Sequence, residues 1–187
     1  MADIRPIETV YKGFRFRSRL EARWAVFFDG LRLKYEYELE GYRLPSGAGY
    51  LPDFVLPDLA VYVEVKPNRS IPYADLKKIV EFALGWDKNV LLIIGTPTQE
   101  EMFLINRCTC RPLEEYEWEY EIKPDEADIV SDFLSDLSDW ASVAFGSVPL
   151  SRGWCLVYRS LPPTDEVTLK EALLKAKQAR FEFGESG

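Results

Sequence analysis

Apolar residues recur at helical spacing between Ser18 and Gly30, and this pattern predicts the first helix. They are separated by three or four residues, which places them on one helix face: Leu20, Trp24, Phe27, Phe28 and Leu31. Ser18 precedes the run and Glu21 stands three residues later, which is the capping-box pattern of a helix N-terminus. We therefore expect a helix over 18–30 with its apolar face in the core.

Residues 35–95 predict the strands of a sheet and one helix. Residues 35–40 alternate as in a half-buried strand, the segment after the turn PSGAG predicts a strand that delivers Asp53, and PDL joins it in a hairpin to VYVEVK. YADLKKIVEFALGW predicts an amphipathic helix, and NVLLIIG a fully buried strand. A helix between two strands favours a parallel, right-handed crossover. The predicted order is helix, three antiparallel strands, helix and parallel strand, an α/β fold.

The remainder predicts additions around this core. MFLINR and YEWEYEI predict edge strands, DEADIVSDFLSDLSDWASVAF an acidic amphipathic helix, GWCLVY a strand, and residues 168–183 a terminal helix. A chain of 187 residues with 47% hydrophobic content can bury one sizeable core. We expect a single domain over 1–187, with a catalytic core in 1–97 and peripheral strands and two helices in 98–187.

Candidate chemistry lies at Asp53, Glu64 and Lys66. Side chains alternate along a strand, so Glu64 and Lys66 lie on one face and Val65 on the other. Mg²⁺ prefers oxygen ligands and usually takes one or two carboxylates from a protein, which Asp53 and Glu64 can supply. A lysine beside that metal can orient water or stabilise the charge of a phosphoryl transition state. The alternative is an ordinary charge pattern on a solvated strand, but the apolar run before Glu64 favours a buried one.

The segments YLPDF and EVK, with ten residues between Asp53 and Glu64, resemble the PD-(D/E)XK nuclease superfamily. The opening YKGFRFRSRLEARWAVFF also resembles small nuclease-like proteins of bacteria and phages. The resemblance implies a restriction-endonuclease-like core that cuts DNA with Mg²⁺ or Mn²⁺. It implies Asp53 and Glu64 as metal ligands, the Val65 carbonyl as a third ligand and Lys66 as the catalytic cation.

The resemblance also implies that Glu21, on the first helix, is an additional acid of the metal cluster. An acid on an arginine-rich helix has a second explanation, because Glu21 is also placed to pair with Arg17 or Arg23 at helical spacing. Both interpretations stay open from the sequence.

Composition narrows the possible chemistry. The chain has no histidine, which excludes Ser-His-Asp and Cys-His hydrolases and His-ligated zinc sites. Its three cysteines argue against a disulfide framework and fit a reducing compartment. No apolar run is long enough to span a bilayer and no secretory signal is evident, so we expect a cytoplasmic protein without a membrane partner.

The net charge of −8 is unevenly distributed. Residues 114–139 hold 11 of the 31 acidic residues and one basic residue. The N-terminal part is basic and rich in aromatic residues, a composition that can hold a phosphate backbone and stack on bases. We expect DNA contacts from Lys12, Arg15, Arg17 and Arg19. The alternative is an amphipathic start to the first helix.

The acidic segment 114–139 leaves two alternatives to a free-standing endonuclease. It could imitate a phosphate backbone or dock a basic protein, so that the chain is a nuclease-fold binding protein. The chain could also be the nuclease subunit of a larger phage or host-defence complex whose partners supply DNA affinity. A solvated, solubilising face is the commonest use of such a run. A homodimer would suit paired cuts, but no segment identifies its interface.

Overall fold

The computed structural model describes residues 7–117, 125–141, 143–148, 153–158, 166–179 and 181. This part of the chain is mixed α/β. Its strands are β1 Thr9–Tyr11, β2 Phe14–Phe16, β3 Glu36–Tyr37, β4 Tyr42–Arg43, β5 Gly49–Tyr50, β6 Phe54–Leu56, β7 Val61–Lys66, β8 Val90–Thr96, β9 Gln99–Ile105, β10 Val143–Val148 and β11 Gly153–Tyr158. Its α-helices are α1 Arg19–Gly30, α2 Tyr73–Gly85, α3 Leu113–Glu117, α4 Glu126–Trp140 and α5 Glu166–Gln178.

The largest sheet has the strand order β3-β6-β7-β8-β9. β3, β6 and β7 pair antiparallel, β7 and β8 pair parallel, and β9 returns antiparallel along β8. The parallel pairing across α2 and the edge position of β9, which contains most of MFLINR, are confirmed. The site strand β7 is central, with a neighbour on each side.

Helices cover the two faces of this sheet. Val61, Val63 and Val65 of β7 pack into a cluster with residues of α1 and α5. Tyr62, on the other face of β7, packs against a second cluster that contains the apolar residues of α2 and α4. The capping-box prediction is confirmed, because Ser18 caps α1 and accepts a hydrogen bond from the Glu21 N–H. α1 ends at Gly30, as its pattern predicts.

Two predictions around the site are corrected, whereas the hairpin joined by PDL is confirmed because β6 and β7 pair antiparallel. Of residues 35–40, only Glu36–Tyr37 form a strand, because Glu38 has a φ of 44° that ends the extended backbone. Asp53 precedes β6 rather than lying within a strand, and the residues after PSGAG pair with β4 in a separate hairpin. PDL forms a 3₁₀ turn that links β6 to β7.

Further corrections concern the second half. YEWEYEI begins in α3, so its strand prediction is wrong at Tyr116 and Glu117, and its other residues lie outside the described part. The acidic helix ends at Trp140, and Val143 starts β10, which pairs antiparallel with β11. The β-branched Val143 favours a strand over a further helical turn. The terminal helix runs from Glu166 to Gln178, and Phe183 lies outside the described residues. No described helix is long and apolar enough to cross a membrane.

Candidate active site

Asp53, Glu64 and Lys66 meet at the carboxyl end of β7. Asp53 and Glu64 are only 5% and 7% exposed. The Asp53 Oδ2 atom accepts a hydrogen bond of 2.8 Å from the main-chain N–H of Val65. The Glu64 Oε1 atom lies 2.9 Å from the Lys66 ammonium nitrogen. The three residues selected from the sequence therefore form one connected group, with Val65 linking Asp53 to the strand.

Lys66 is a cation in this setting. Burial opposes its charged form, but the negative charges of Glu64, Asp53 and Asp75 outweigh that effect and raise the pKa of Lys66 above its ordinary value. An ammonium group with three donors can stabilise developing negative charge, whereas it cannot accept a proton while it remains charged. The geometry suits Lys66 as an electrostatic partner rather than a general base.

Tyr50 is a site residue that the sequence did not single out. Its hydroxyl donates a hydrogen bond of 2.9 Å to the Glu64 Oε2 atom. Burial and the charge of Glu64 raise the pKa of this phenol far above its ordinary value, so the hydroxyl stays a donor. With Lys66 on one oxygen and Tyr50 on the other, the Glu64 carboxylate is fixed in orientation.

Arg17 also belongs to this site. Its Nη2 atom lies 3.0 Å from the Asp53 Oδ1 atom, and its Nε atom contacts Glu38. The sequence indicated Arg17 as a nucleic-acid contact but gave no signal that it would reach Asp53, 36 positions away. More than half of its side chain, 54%, remains exposed, so this guanidinium joins the buried carboxylate to the surface.

Burial and neighbouring acids disfavour the ionised form of Asp53. Burial raises the pKa of Asp53 well above its ordinary value, and the charges of Glu64 and Glu21 raise it further. The Val65 N–H and the Arg17 guanidinium oppose this shift without cancelling it. A buried carboxylate pair in this condition is stabilised by a cation, which is the demand that a divalent metal would meet.

Glu21 lies near these acids but has its own partners. Its carboxylate accepts hydrogen bonds from the Ser18 and Tyr37 hydroxyls, at 2.7 and 2.6 Å, and from the Arg17 main-chain N–H at 3.1 Å. Among the described residues it forms no ion pair with the side chain of Arg17 or Arg23. Hydrogen bonds, rather than an ion pair with Arg17 or Arg23, therefore fix the position of Glu21.

The described residues contain no group of three or more acidic or thiol side chains arranged to hold a metal. Glu21 belongs to α1, which packs on one face of the sheet, whereas Glu64 shares with Tyr62 the face that packs on α2. This explains why Glu21 influences Asp53 without completing a three-carboxylate cluster. The donor set that fits Mg²⁺ or Mn²⁺ is the pair Asp53 and Glu64, which is a normal number of protein carboxylates for magnesium.

The four residues predicted to contact DNA have different surroundings. Lys12 pairs with Asp29 at 2.9 Å, and Arg15 pairs with Glu8 at 3.6 Å on an exposed strand. Arg17 lies in the carboxylate site, and Arg19 lines a cleft beside α5. The structure thus places two of the four next to the site.

The described part of the acidic segment includes α4, an amphipathic helix with one face buried. The apolar face of α4 is buried in the second cluster through Ile129, Phe133 and Leu137. Most of its acids lie on the outer face, and the Asp136 carboxylate accepts a hydrogen bond of 2.9 Å from the Tyr116 hydroxyl. Residues 118–124 lie outside the described part.

Comparisons with known proteins add no relative. No protein-family model matches the chain, and neither the curated proteins nor the solved structures contain a match to it. Function must therefore be inferred from the site itself.

Proposed function

We propose that this protein is a metal-dependent DNA endonuclease with a restriction-endonuclease-like core of the PD-(D/E)XK type. The observation that carries this proposal is the buried pair Asp53 and Glu64 with Lys66 held 2.9 Å from Glu64. Burying two carboxylates beside each other is unfavourable for folding unless a cation compensates them. Such an arrangement is therefore better explained by a role in metal binding and catalysis than by a contribution to the stability of the fold.

Asp53 and Glu64, with the Val65 carbonyl as a third ligand, would hold Mg²⁺ or Mn²⁺ between them. Bound there, the metal would polarise a phosphoryl oxygen and lower the pKa of a coordinated water. The pair leaves further coordination positions for water and for phosphate, as magnesium sites in phosphoryl-transfer proteins usually do.

The surrounding residues have distinct tasks in this proposal. Lys66 presents a fixed positive charge toward the phosphate and stabilises the negative charge that develops there. Glu64 orients Lys66, and Tyr50 orients Glu64 through its 2.9 Å hydrogen bond. Arg17 partly offsets the negative charge of Asp53 from the solvent side and is exposed enough to contact a phosphate.

The sheet topology supports the same proposal. Helix α1 precedes three antiparallel strands, and α2 leads to the parallel strand β8, which is the order that the resemblance implies. Strand β7 carries Glu64 and Lys66 in the middle of this sheet. A fold alone does not determine an activity, so the carboxylate site remains the main support.

The test is cleavage of supercoiled plasmid and of a branched DNA in Mg²⁺, in Mn²⁺ and in EDTA. We expect cutting that requires metal and that falls at least about 100-fold in Asp53→Asn and in Lys66→Gln. Asp58→Asn is the matched control, because Asp58 is an exposed acid in the turn between β6 and β7 and should cut like wild type.

Absence of cutting by wild type with either metal would contradict the free-standing endonuclease. The nuclease-subunit proposal predicts metal-dependent hydrolysis with weak DNA binding by the isolated chain. The binding-protein proposal, in which segment 114–139 docks a basic protein or imitates DNA, predicts neither hydrolysis nor metal dependence.

A further inference from the structure

A cleft of about 780 Å³ lies between α1 and α5, and the charged side chains that line it in the described part of the chain are basic. Arg19 and Arg23 stand one turn apart on α1, and Lys177 comes from the last turn of α5. The other lining residues are Leu174, Gln178, Ala179 and Phe181. None of the described residues that line the cleft is acidic, so within this set its positive charge is not neutralised.

Both arginines of the cleft have unused donors. The Nε atoms of Arg19 and Arg23 are buried and have no hydrogen-bond partner among the described residues. Within the same part of the chain, neither arginine nor Lys177 forms an ion pair. Buried guanidinium nitrogens are normally paired, so the described residues leave both arginines without the acceptor that such a group usually has.

A smaller cavity of about 170 Å³ extends the basic surface toward the sheet. Arg23 and Lys177 line it together with Thr96 and Thr98, from the end of β8 and the turn that follows. Hydroxyl groups beside arginine and lysine are common donors to phosphate oxygens. The donor set is therefore that of a phosphate site.

The cleft lies beside the carboxylate site. Arg17, which contacts Asp53, precedes Arg19 by two residues, so their Cα atoms are at most about 7 Å apart. Thr96 is the last residue of β8, and β8 runs parallel to β7, whose carboxyl end carries Lys66. Both sites are thus at the same edge of the sheet.

We propose that this cleft binds a phosphate of the nucleic-acid strand, next to the phosphate on which Asp53 and Glu64 would act. The inference rests on the proposed nuclease function for the identity of the strand. It assigns to Arg23 and Lys177, together with Arg19, the task of positioning that strand. It also explains how a chain with a net charge of −8 can bind a polyanion, since binding requires a local basic site rather than a basic protein.

The test is the affinity of wild type and variants for a fluorescent oligonucleotide in EDTA, measured by anisotropy on single-stranded and duplex forms over a range of salt concentrations. We expect Arg23→Gln and Lys177→Gln each to weaken binding by roughly threefold to tenfold and to lower the salt slope by about one. Lys175→Gln is the matched control, because it removes the same charge from an exposed position of α5 that does not line the cleft. We expect it to change affinity less than twofold.

Two results would overturn the cleft proposal. One is binding by both cleft variants that equals the control, and the other is no binding of either oligonucleotide by wild type. Lys177 is exposed on α5, so Lys177→Gln tests the cleft even if Arg23→Gln destabilises α1. The measurement uses no metal, so its failure is distinguishable from failure of metal-dependent cleavage.

Discussion

The Asp53 side chain is buried, lies near two other acids and accepts hydrogen bonds from two donors. Without metal, burial and the charges of Glu64 and Glu21 raise its pKa well above the ordinary value. The folded state therefore holds the Asp53 proton more tightly than the unfolded state does. The stabilisation from this difference is complete below the unfolded pKa and is lost as pH rises through the higher folded pKa.

The raised pKa of Asp53 predicts how pH affects the stability of Asp53→Asn without metal. An amide cannot ionise, so the variant does not lose the folding stability that wild type loses as pH rises. We expect the variant's free energy of unfolding, relative to wild type, to increase between pH 4.5 and pH 8 by about 1 to 3 kcal/mol. Urea denaturation in EDTA at both pH values measures it, with Asp58→Asn as the control. A pH-independent difference would contradict the account of Asp53.

The sequence predicted the acids and the lysine of the site but not their partners. Glu64 and Lys66 could be identified from the sequence because strand alternation puts them on one face and a buried apolar run precedes Glu64, and Asp53 because it lies shortly before that strand. Nothing in the sequence singled out Tyr50, because no local pattern shows where a hydroxyl will find an acceptor. The contact from Arg17 to Asp53 depends on how α1 docks against the sheet, which is a long-range property.

At the scale of elements, long periodic segments were predictable and short ones were not. Helix α1 and the β7–α2–β8 unit follow their patterns, because each buries an apolar face several residues long. The strand predicted over 35–40 is cut short at Glu38, whose positive φ the alternation does not reveal. The end of α4 was missed for a similar reason, since its apolar spacing continues into the residues of β10.

The hairpin between β8 and β9 depends on the positive φ of Gly95, so a substitution there should strongly destabilise the protein. Gly95 has a φ of +94°, and a Cβ atom there would lie 2.2 Å from the Gln99 carbonyl oxygen. Its own carbonyl accepts a 3.0 Å hydrogen bond from the Trp24 indole N–H. We expect Gly95→Ala to lower the free energy of unfolding by about 2 to 4 kcal/mol, because it combines backbone strain with a steric clash.

Gly49→Ala provides the matched control for that measurement. A Cβ atom at Gly49 would meet no other atom within 4 Å, and the backbone there does not require a positive φ. Thermal or urea denaturation should leave this variant within about 0.5 kcal/mol of wild type. Equal stability of the two variants would contradict the described geometry of the β8–β9 turn.

At the scale of the whole molecule, charge is separated between surfaces. Helix α4 carries exposed acids over a buried apolar face, whereas the charged residues that the structure describes in the cleft between α1 and α5 are basic. Net charge is therefore a poor guide to the partner of this protein. The carboxylate site and the basic cleft lie at one edge of the central sheet, and a single strand of nucleic acid could contact both.

Binding of Mn²⁺ tests the central claim most directly, because it does not require the correct DNA substrate to be known. We expect wild type to bind one Mn²⁺ per chain, measured by calorimetry or by loss of the free-ion electron paramagnetic resonance signal. Glu64→Gln should weaken this binding by at least about tenfold, since it removes one of two carboxylate ligands, while Asp58→Asn should leave it unchanged. No binding by wild type, or equal binding by Glu64→Gln, would contradict a metal site at Asp53 and Glu64.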